Sequence, residues 1–303
     1  MTKHYVITLI GPSGQGKLTA ETVEYVADIA NKAGWQTGKA DWLGEGEACD
    51  LPLEVGTAIE PDASWARREA SQLDSVDVVV QLADSHRKKH LLLCDMDSTM
   101  IEQECIDELA DEAGVGPHMR DITARAMNGE LDFEGALTER VALLKGLPET
   151  VIAEVLASRI TYMPGGRELL STMKAHGAHA ALVSGGFTNF TAKVAEELGF
   201  HENRANTLLI ENGTLTGHVA QPILGRDAKV QALHDITGRL GITPADVIAV
   251  GDGANDLGML ELAGTGVALH AKPSVAAQCD VRINHGDLTA LLFLQGYARS
   301  DFA

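Results

Sequence analysis

The stretch Leu91-Leu92-Leu93-Cys94-Asp95-Met96-Asp97-Ser98-Thr99 constrains the fold of this chain more than any other. An apolar run of strand length ends in two carboxylates two residues apart, and small hydroxyl residues follow. Side chains alternate across an extended strand. Where the strand ends the chain can curl, so that Asp95 and a group of Asp97 meet at one metal ion. The chemistry is expected here.

The chain has 303 residues, room for a sizeable core and for two folded units. Asp and Glu number 43 against 24 Lys and Arg, a formal charge of -19. That balance opposes general affinity for nucleic acid or an anionic membrane, so an anionic substrate needs local cations or a metal. Cys49, Cys94, Cys105 and Cys279 are widely spaced with no CxxC pair. Neither a zinc site nor a disulfide framework is indicated, which fits a reducing cytoplasm. No stretch approaches the roughly 18 apolar residues of a membrane span, and a soluble cytoplasmic protein is expected.

In the first ninety residues, 5–10 read as a strand and 20–33 as an amphipathic helix through Val23, Val26, Ala27 and Ala30. Between them Gly11-Pro-Ser-Gly-Gln-Gly16-Lys17 matches a phosphate-binding loop as far as the lysine. Leu18, however, has no hydroxyl to offer magnesium, Thr19 comes one place late, and no βα series follows. A glycine-rich turn into a helix is therefore expected. Weaker strands at 37–43 and 48–53, a helix at 63–73 and a strand at 76–82 complete a small βαββαβ unit. The run Asp84-Ser-His-Arg-Lys-Lys-His90 reads as a solvated linker.

Beyond Asp97, the residues Glu102, Glu104, Asp107, Glu108, Asp111 and Glu112 interleave with Ile101, Cys105, Ile106, Leu109, Ala110 and Ala113. This is helical periodicity with an acidic, solvated outer face. Glu104 stands apart because it follows the paired aspartates closely. Helices are expected at 118–128, 133–145 and 148–159, with turns at Asn128-Gly129 and Gly146, and strand signals return only at His179. An all-helical insert of that length predicts a cap over the strand ends, since a simple crossover needs one helix.

Residues 178–183 form a second apolar strand, running into Ser184-Gly185-Gly186-Phe187. In an open α/β sheet the carboxyl ends of strands face the ligand crevice, and a serine with exposed backbone N–H groups suits an anion there. Asn212-Gly213 between apolar runs predicts a type I′ hairpin. Gly225-Arg226-Asp227-Ala228-Lys229 opens a helix. The strand Val247-Ile-Ala-Val250 ends in Gly251-Asp252-Gly253-Ala254-Asn255-Asp256. Asp252 and Asp256, added to Asp95 and Asp97, place four carboxylates around one point. Such a set is costly without a divalent cation, and hard oxygen donors suit Mg²⁺. Strands at 266–269 and 281–283 and a helix from 288 complete the chain.

These motifs, in this order, resemble those of the haloacid dehalogenase (HAD) superfamily of phosphohydrolases. Within it, Asp95 to Ala110, Met127 to Leu147 and Leu182 to Phe187 resemble the phosphoserine phosphatases. The resemblance covers about residues 89–286. It implies an α/β fold, a Rossmannoid parallel sheet with a helical cap at about 103–163 inserted after its first strand. By that resemblance Asp95 is the nucleophile and Asp97 the general acid and base. Mg²⁺ is held by Asp95, the backbone carbonyl of Asp97 and Asp252, with Asp256 close by. Ser184, Gly185, Lys229 and Asn255 hold the phosphoryl group. Glu104 takes the amino group of O-phospho-L-serine and Arg140 its carboxylate, with Met127 and Phe133 supporting them. A phosphatase acting at the last step of serine synthesis is implied. Residues 1–85 resemble ACT-like regulatory modules, a small α+β domain before the catalytic domain of 86–303. Its roles stay open among serine binding, pairing into a homodimer, and packing.

Overall fold

The structure is a computed structural model and describes residues 3–55, 61, 63–127 and 130–303, apart from the side chains of Lys3 and Met127. The chain opens with β1 (Lys3–Ile10), α1 (Ala20–Lys32), β2 (Gln36–Thr37), β3 (Asp41–Gly44), β4 (Ala48–Val55), α2 (Ala63–Ala70) and β5 (Asp77–Leu82). Their sheet runs β2-β4-β1-β5, with β3 also on β4, and β1 is antiparallel to both its neighbours. Alternation along β1 sorts its faces. Tyr5, Ile7 and Leu9 join Val23, Val26 and Trp65 in one core, and Ile10 turns to the core of the rest of the molecule. The expected strand at 37–43 is two strands. Pro52 has no N–H for a ladder at that point, so β2 stops at Thr37↔Leu53, and β3 resumes at Asp41↔Asp50.

The second body begins with β6 (Leu91–Cys94). The helices α3 (Cys105–Glu112), α4 (Gly116–Met127), α5 (Phe133–Ala142), α6 (Thr150–Ser158) and α7 (Gly166–Ala175) follow. Then come β7 (His179–Phe187), α8 (Thr188–Leu198), β8 (Glu202–Asn206), the pair β9 (Leu208–Glu211) and β10 (Thr214–Val219), and α9 (Arg226–Leu240). The last elements are β11 (Val247–Gly251), α10 (Leu257–Leu262), β12 (Thr265–Leu269), α11 (Pro273–Ala276), β13 (Val281–Ile283) and α12 (Ala290–Leu294). The six-stranded sheet β13-β12-β11-β6-β7-β8 is parallel throughout, as the unbroken apolar runs of β6 and β11 require for strands covered on both faces. Helices α3 to α6 are the expected cap. α7, which the sequence pattern left unassigned, packs beside β7 and α12. The Asn128-Gly129 turn lies outside the described residues.

The β9–β10 turn holds Asn212 and Gly213 at φ 51° and 74°, the type I′ conformation that its residues favour. This hairpin is bound to the cap through backbone. Gly146 donates to Leu215, Leu215 donates to Leu147, and Glu149 donates to Gly213, at 2.8, 2.8 and 2.9 Å.

Two expectations about charge are corrected. The segment 84–90 is no solvated connector, because it crosses the junction of the two bodies. Arg87 is ion-paired with buried Asp50 at 2.7 Å and donates to the carbonyl of Leu294 at 2.9 Å. Lys89 is buried, with Nζ donating to Ala245 O at 2.7 Å, and burial lowers its pKa. Carbonyls at a helix end lack an intrahelical partner, and at the end of α12 the Arg87 guanidinium supplies one to Phe293 O, at 3.3 Å, as well as to Leu294 O. Asp77 of β5 reinforces the junction by accepting the N–H groups of Asn284, His285 and Gly286. Nor is the acidic face of α3 merely solvated: Glu108 and Glu112 pair with Arg159, and Asp107 with Arg140, because the cap folds back over this helix. Arg87→Met strands the Asp50 carboxylate with, among the described residues, only the Thr8 hydroxyl at 2.8 Å. It is expected to cost about 2–4 kcal/mol, read as a lower thermal midpoint and faster proteolysis within 84–90.

Candidate active site

All four residues of β6 are fully buried, and the strand hands the chain to Asp95, whose N–H donates to Val250 O of neighbouring β11 at 3.0 Å. The chain then curls tightly. Met96 O accepts from the N–H groups of Thr99, Met100 and Ile101, and Ser98 takes the left-handed conformation at φ 55°. The curl turns Ser98 Oγ toward Glu104, which accepts from it at 3.1 Å just ahead of α3. Asp95, Asp97 and Glu104 thus face one cavity of about 650 Å³, bounded across the sheet by Ser184, Gly185 and Asn255.

Beneath the cavity Lys229 reaches inward from the first turn of α9. Its Nζ lies 2.7 Å from Asp95 Oδ1 and 2.5 Å from Asp256 Oδ1, and the residue is only 1% exposed. Burial works against the ammonium, but Asp95 and Asp256 outweigh it and hold its pKa above the ordinary lysine value. Asp256 is fixed in turn by the Gly253 N–H at 2.9 Å, and Asp252 accepts from Thr99 Oγ1 at 3.4 Å.

One oxygen each of Asp95, Asp252 and Asp256 lies within 4.8 Å of the others. The Asp97 carboxylate stands outside this group, so three of the four expected carboxylates converge. Burial, then the Asp256 charge, pushes Asp95 well above the usual carboxylate range against the pull of Lys229. Burial, then Asp256 and Glu104, pushes Asp252 up to about 6. Burial, then Glu104, pushes Asp97 up to about 7. Asp97 Oδ1 is buried without a hydrogen-bond partner, and Asp95 Oδ1 makes no aligned hydrogen bond beyond its ion pair with Lys229. Under-compensated buried anions with hard oxygen donors fit a divalent cation.

The cap closes the other side. Phe133 begins α5, after Asp132 caps it by accepting from the Gly135 N–H at 2.8 Å. A Cβ at Gly185 or Gly225 would stand 3.1 or 3.2 Å from the Phe133 ring, so both glycines let the ring rest on backbone. Arg140, two turns further along α5, lines the same cavity. The side chain of Met127 lies outside the described residues.

Three contributors were not singled out from the sequence. Buried Asn206 ends β8 and donates to both Gly185 O and Leu224 O while accepting from the Leu224 N–H. It ties the carboxyl end of β7 to the segment before α9. Arg226 and Lys272 line the cavity, and neither forms an ion pair among the described residues. Arg226 could have been found from its place three residues before Lys229, on the same helix face.

Together these features make a Rossmannoid parallel sheet whose strand ends carry an acidic site beneath a helical cap. The family model for haloacid dehalogenase-like hydrolases matches residues 92–261, and the chain belongs to that family. A phosphoserine phosphatase from Archaeoglobus fulgidus is 46% identical over 74% of this chain and 65% of its own length. One from Streptomyces coelicolor is 38% identical over 94% of this chain and 69% of its own length. This chain therefore spans about two thirds of each of those relatives. The crystal structure of a HAD family hydrolase from Salmonella enterica subsp. enterica serovar Typhi superposes with a TM-score of 0.83 at 31% identity, covering 96% of this chain and 98% of that one. Among the described residues no helix is long and apolar enough to cross a membrane, and the four cysteines are free and buried.

Proposed function

We propose that this chain is a Mg²⁺-dependent phosphatase that hydrolyses O-phospho-L-serine to L-serine and phosphate. The observation that carries the reading is the shared cavity: Asp95, Asp97 and Asp252 line it together with Glu104 and Arg140, the pair suited to the amino-acid end of the substrate. Phosphoserine phosphatases among its relatives support the substrate.

On this reading Asp95 attacks phosphorus in line. The bond to the serine oxygen breaks while Asp97 gives that oxygen its proton, leaving an aspartyl-phosphate. Asp97 then takes a proton from water, whose oxygen attacks phosphorus and releases phosphate from Asp95. Lys229, the Ser184 hydroxyl, the Gly185 N–H and Asn255 hold the phosphoryl oxygens through both steps. Asp95, the backbone carbonyl of Asp97 and Asp252 would hold Mg²⁺, with Asp256 beside them; when bound it supplies positive charge against those oxygens. Glu104 takes the substrate ammonium, and the planar fork of Arg140 takes the carboxylate. We assign residues 1–85 to a small ACT-like domain, 86–303 to the catalytic domain, and the whole to cytoplasmic serine biosynthesis.

The test is phosphate release from L-phosphoserine, phosphothreonine, homoserine phosphate and p-nitrophenyl phosphate, with Mg²⁺ or EDTA, for the wild type and Arg140→Ala. Phosphoserine should be the best substrate by on the order of tenfold or more, with EDTA abolishing turnover and Arg140→Ala removing the preference. Metal-dependent turnover that Arg140→Ala lowers equally for every substrate would keep the chemistry and overturn the substrate.

A further inference from the structure

Arg140 does not stand free in the cavity wall. Its Nη2 donates to Asp107 Oδ1 at 3.0 Å, and its Nε points to Met119 Sδ at 3.2 Å. These contacts use two of the five N–H bonds of the guanidinium and leave three for a ligand. Asp107 belongs to the first turn of α3, three residues after Glu104, which meets Ser98 just beyond the aspartate pair. One helical turn, anchored to the catalytic loop, therefore carries both Glu104 and the carboxylate that holds Arg140.

We propose that Asp107 is a positioning residue: it sets the reach of the Arg140 guanidinium relative to Glu104 and the catalytic loop, so that the cavity measures the distance from the phosphoryl group to the α-carbon of its substrate. The inference rests on the reading of Glu104 and Arg140 given above and extends it to a residue outside the cavity lining. An arginine side chain has many rotamers, and a fixed fork loses less freedom when it binds a carboxylate. The side chain of Asp107 is 53% exposed and that of Arg140 21%. The pair adds little to folding for that reason, and its contribution lies in orientation. Ammonium and carboxylate share the α-carbon in phosphoserine and in homoserine phosphate, and the extra methylene of the latter lies between that carbon and the phosphate. With the phosphoryl group seated, that methylene carries both groups out of register with a fixed Glu104 and Arg140 unless the arginine moves.

The experiment compares wild type, Asp107→Asn, Arg140→Ala and the double variant, on L-phosphoserine, homoserine phosphate and p-nitrophenyl phosphate. Asp107→Asn is expected to raise KM for phosphoserine about five- to tenfold with kcat within about twofold, and to leave p-nitrophenyl phosphate unchanged. The preference for phosphoserine over homoserine phosphate should narrow by a similar factor, and the effect should vanish in the Arg140→Ala background. An unchanged or lower phosphoserine KM, an equal loss on p-nitrophenyl phosphate, or an effect that persists without Arg140 overturns the role of Asp107 alone. If Arg140→Ala by itself leaves the preference for phosphoserine intact, the reading of the cavity falls, and this inference falls with it.

Discussion

Asp95→Asn is expected to lower turnover of L-phosphoserine on the order of a thousandfold or more, without unfolding the protein. The amide keeps the shape of the side chain but cannot form the bond to phosphorus. The stability side has a definite sign. Burial and the neighbouring Asp256 charge hold the Asp95 carboxyl well above its ordinary pKa, so its charged form disfavours the folded state near neutrality. Removing that charge should leave the thermal midpoint in EDTA equal to or above that of the wild type. Turnover within about tenfold of wild type would remove Asp95 from the nucleophile's role; a large fall in the midpoint would show that Lys229 depends on Asp95 more than on Asp256.

Lys229→Met should have the opposite stability effect and a comparable loss of activity. Its ammonium is the group that bridges Asp95 and Asp256, and methionine removes it from a site that water does not reach. Taking one partner from a buried ion pair costs about 3–5 kcal/mol, because the remaining charge stays buried and uncompensated. In a chain of this size that lowers the unfolding midpoint by roughly 10 °C. Measured by calorimetry in EDTA and again in Mg²⁺, the deficit should shrink with the metal, since bound charge takes over part of the compensation. A midpoint equal to wild type in EDTA would mean that the carboxylates are protonated in the folded protein and never needed the lysine.

The sequence announced its chemistry where a reaction demands one residue type at one position, and was silent where a partner is supplied from far along the chain. Asp95, Ser184 and Asp252 could be singled out because each stands at the end of an apolar run, which local pattern marks; Lys229 opens a helix as any surface lysine might, and only its company in the motif order raised it. The cap was legible from a stretch of helical periodicity that no single crossover requires. The positions 84–90 were misread because polar residues in a row look solvated, and nothing local reveals that Arg87 meets Asp50 and the end of α12. The broken strand at 37–43 depended on Pro52, which sits on another strand. Asn206 was invisible for the same reason, since its partners belong to two other segments. The loop Gly11 to Lys17 had a local pattern that misleads. Its Gly14 N–H, which in a phosphate loop would face a phosphate, is held by Glu47 at 2.7 Å, and Glu47 is paired with Arg299.

The hairpin β9–β10 bears on how the cavity can open. A cap that lifted away alone would break the backbone hydrogen bonds from Gly146 and Glu149 to the hairpin, and the one from Leu215 to Leu147, each worth about 0.5–1.5 kcal/mol. A cap that takes the hairpin along breaks none of them. The strain then passes to the hairpin's base, where Ala220 donates to Thr207 beside Asn206. Because Asn206 grips both Gly185 and Leu224, the hairpin acts as a tie rod: the lid cannot swing without tugging on the backbone that would cradle the phosphoryl group. On the proposed function, release of the organic product and loosening of the phosphate cradle would be geared to one motion.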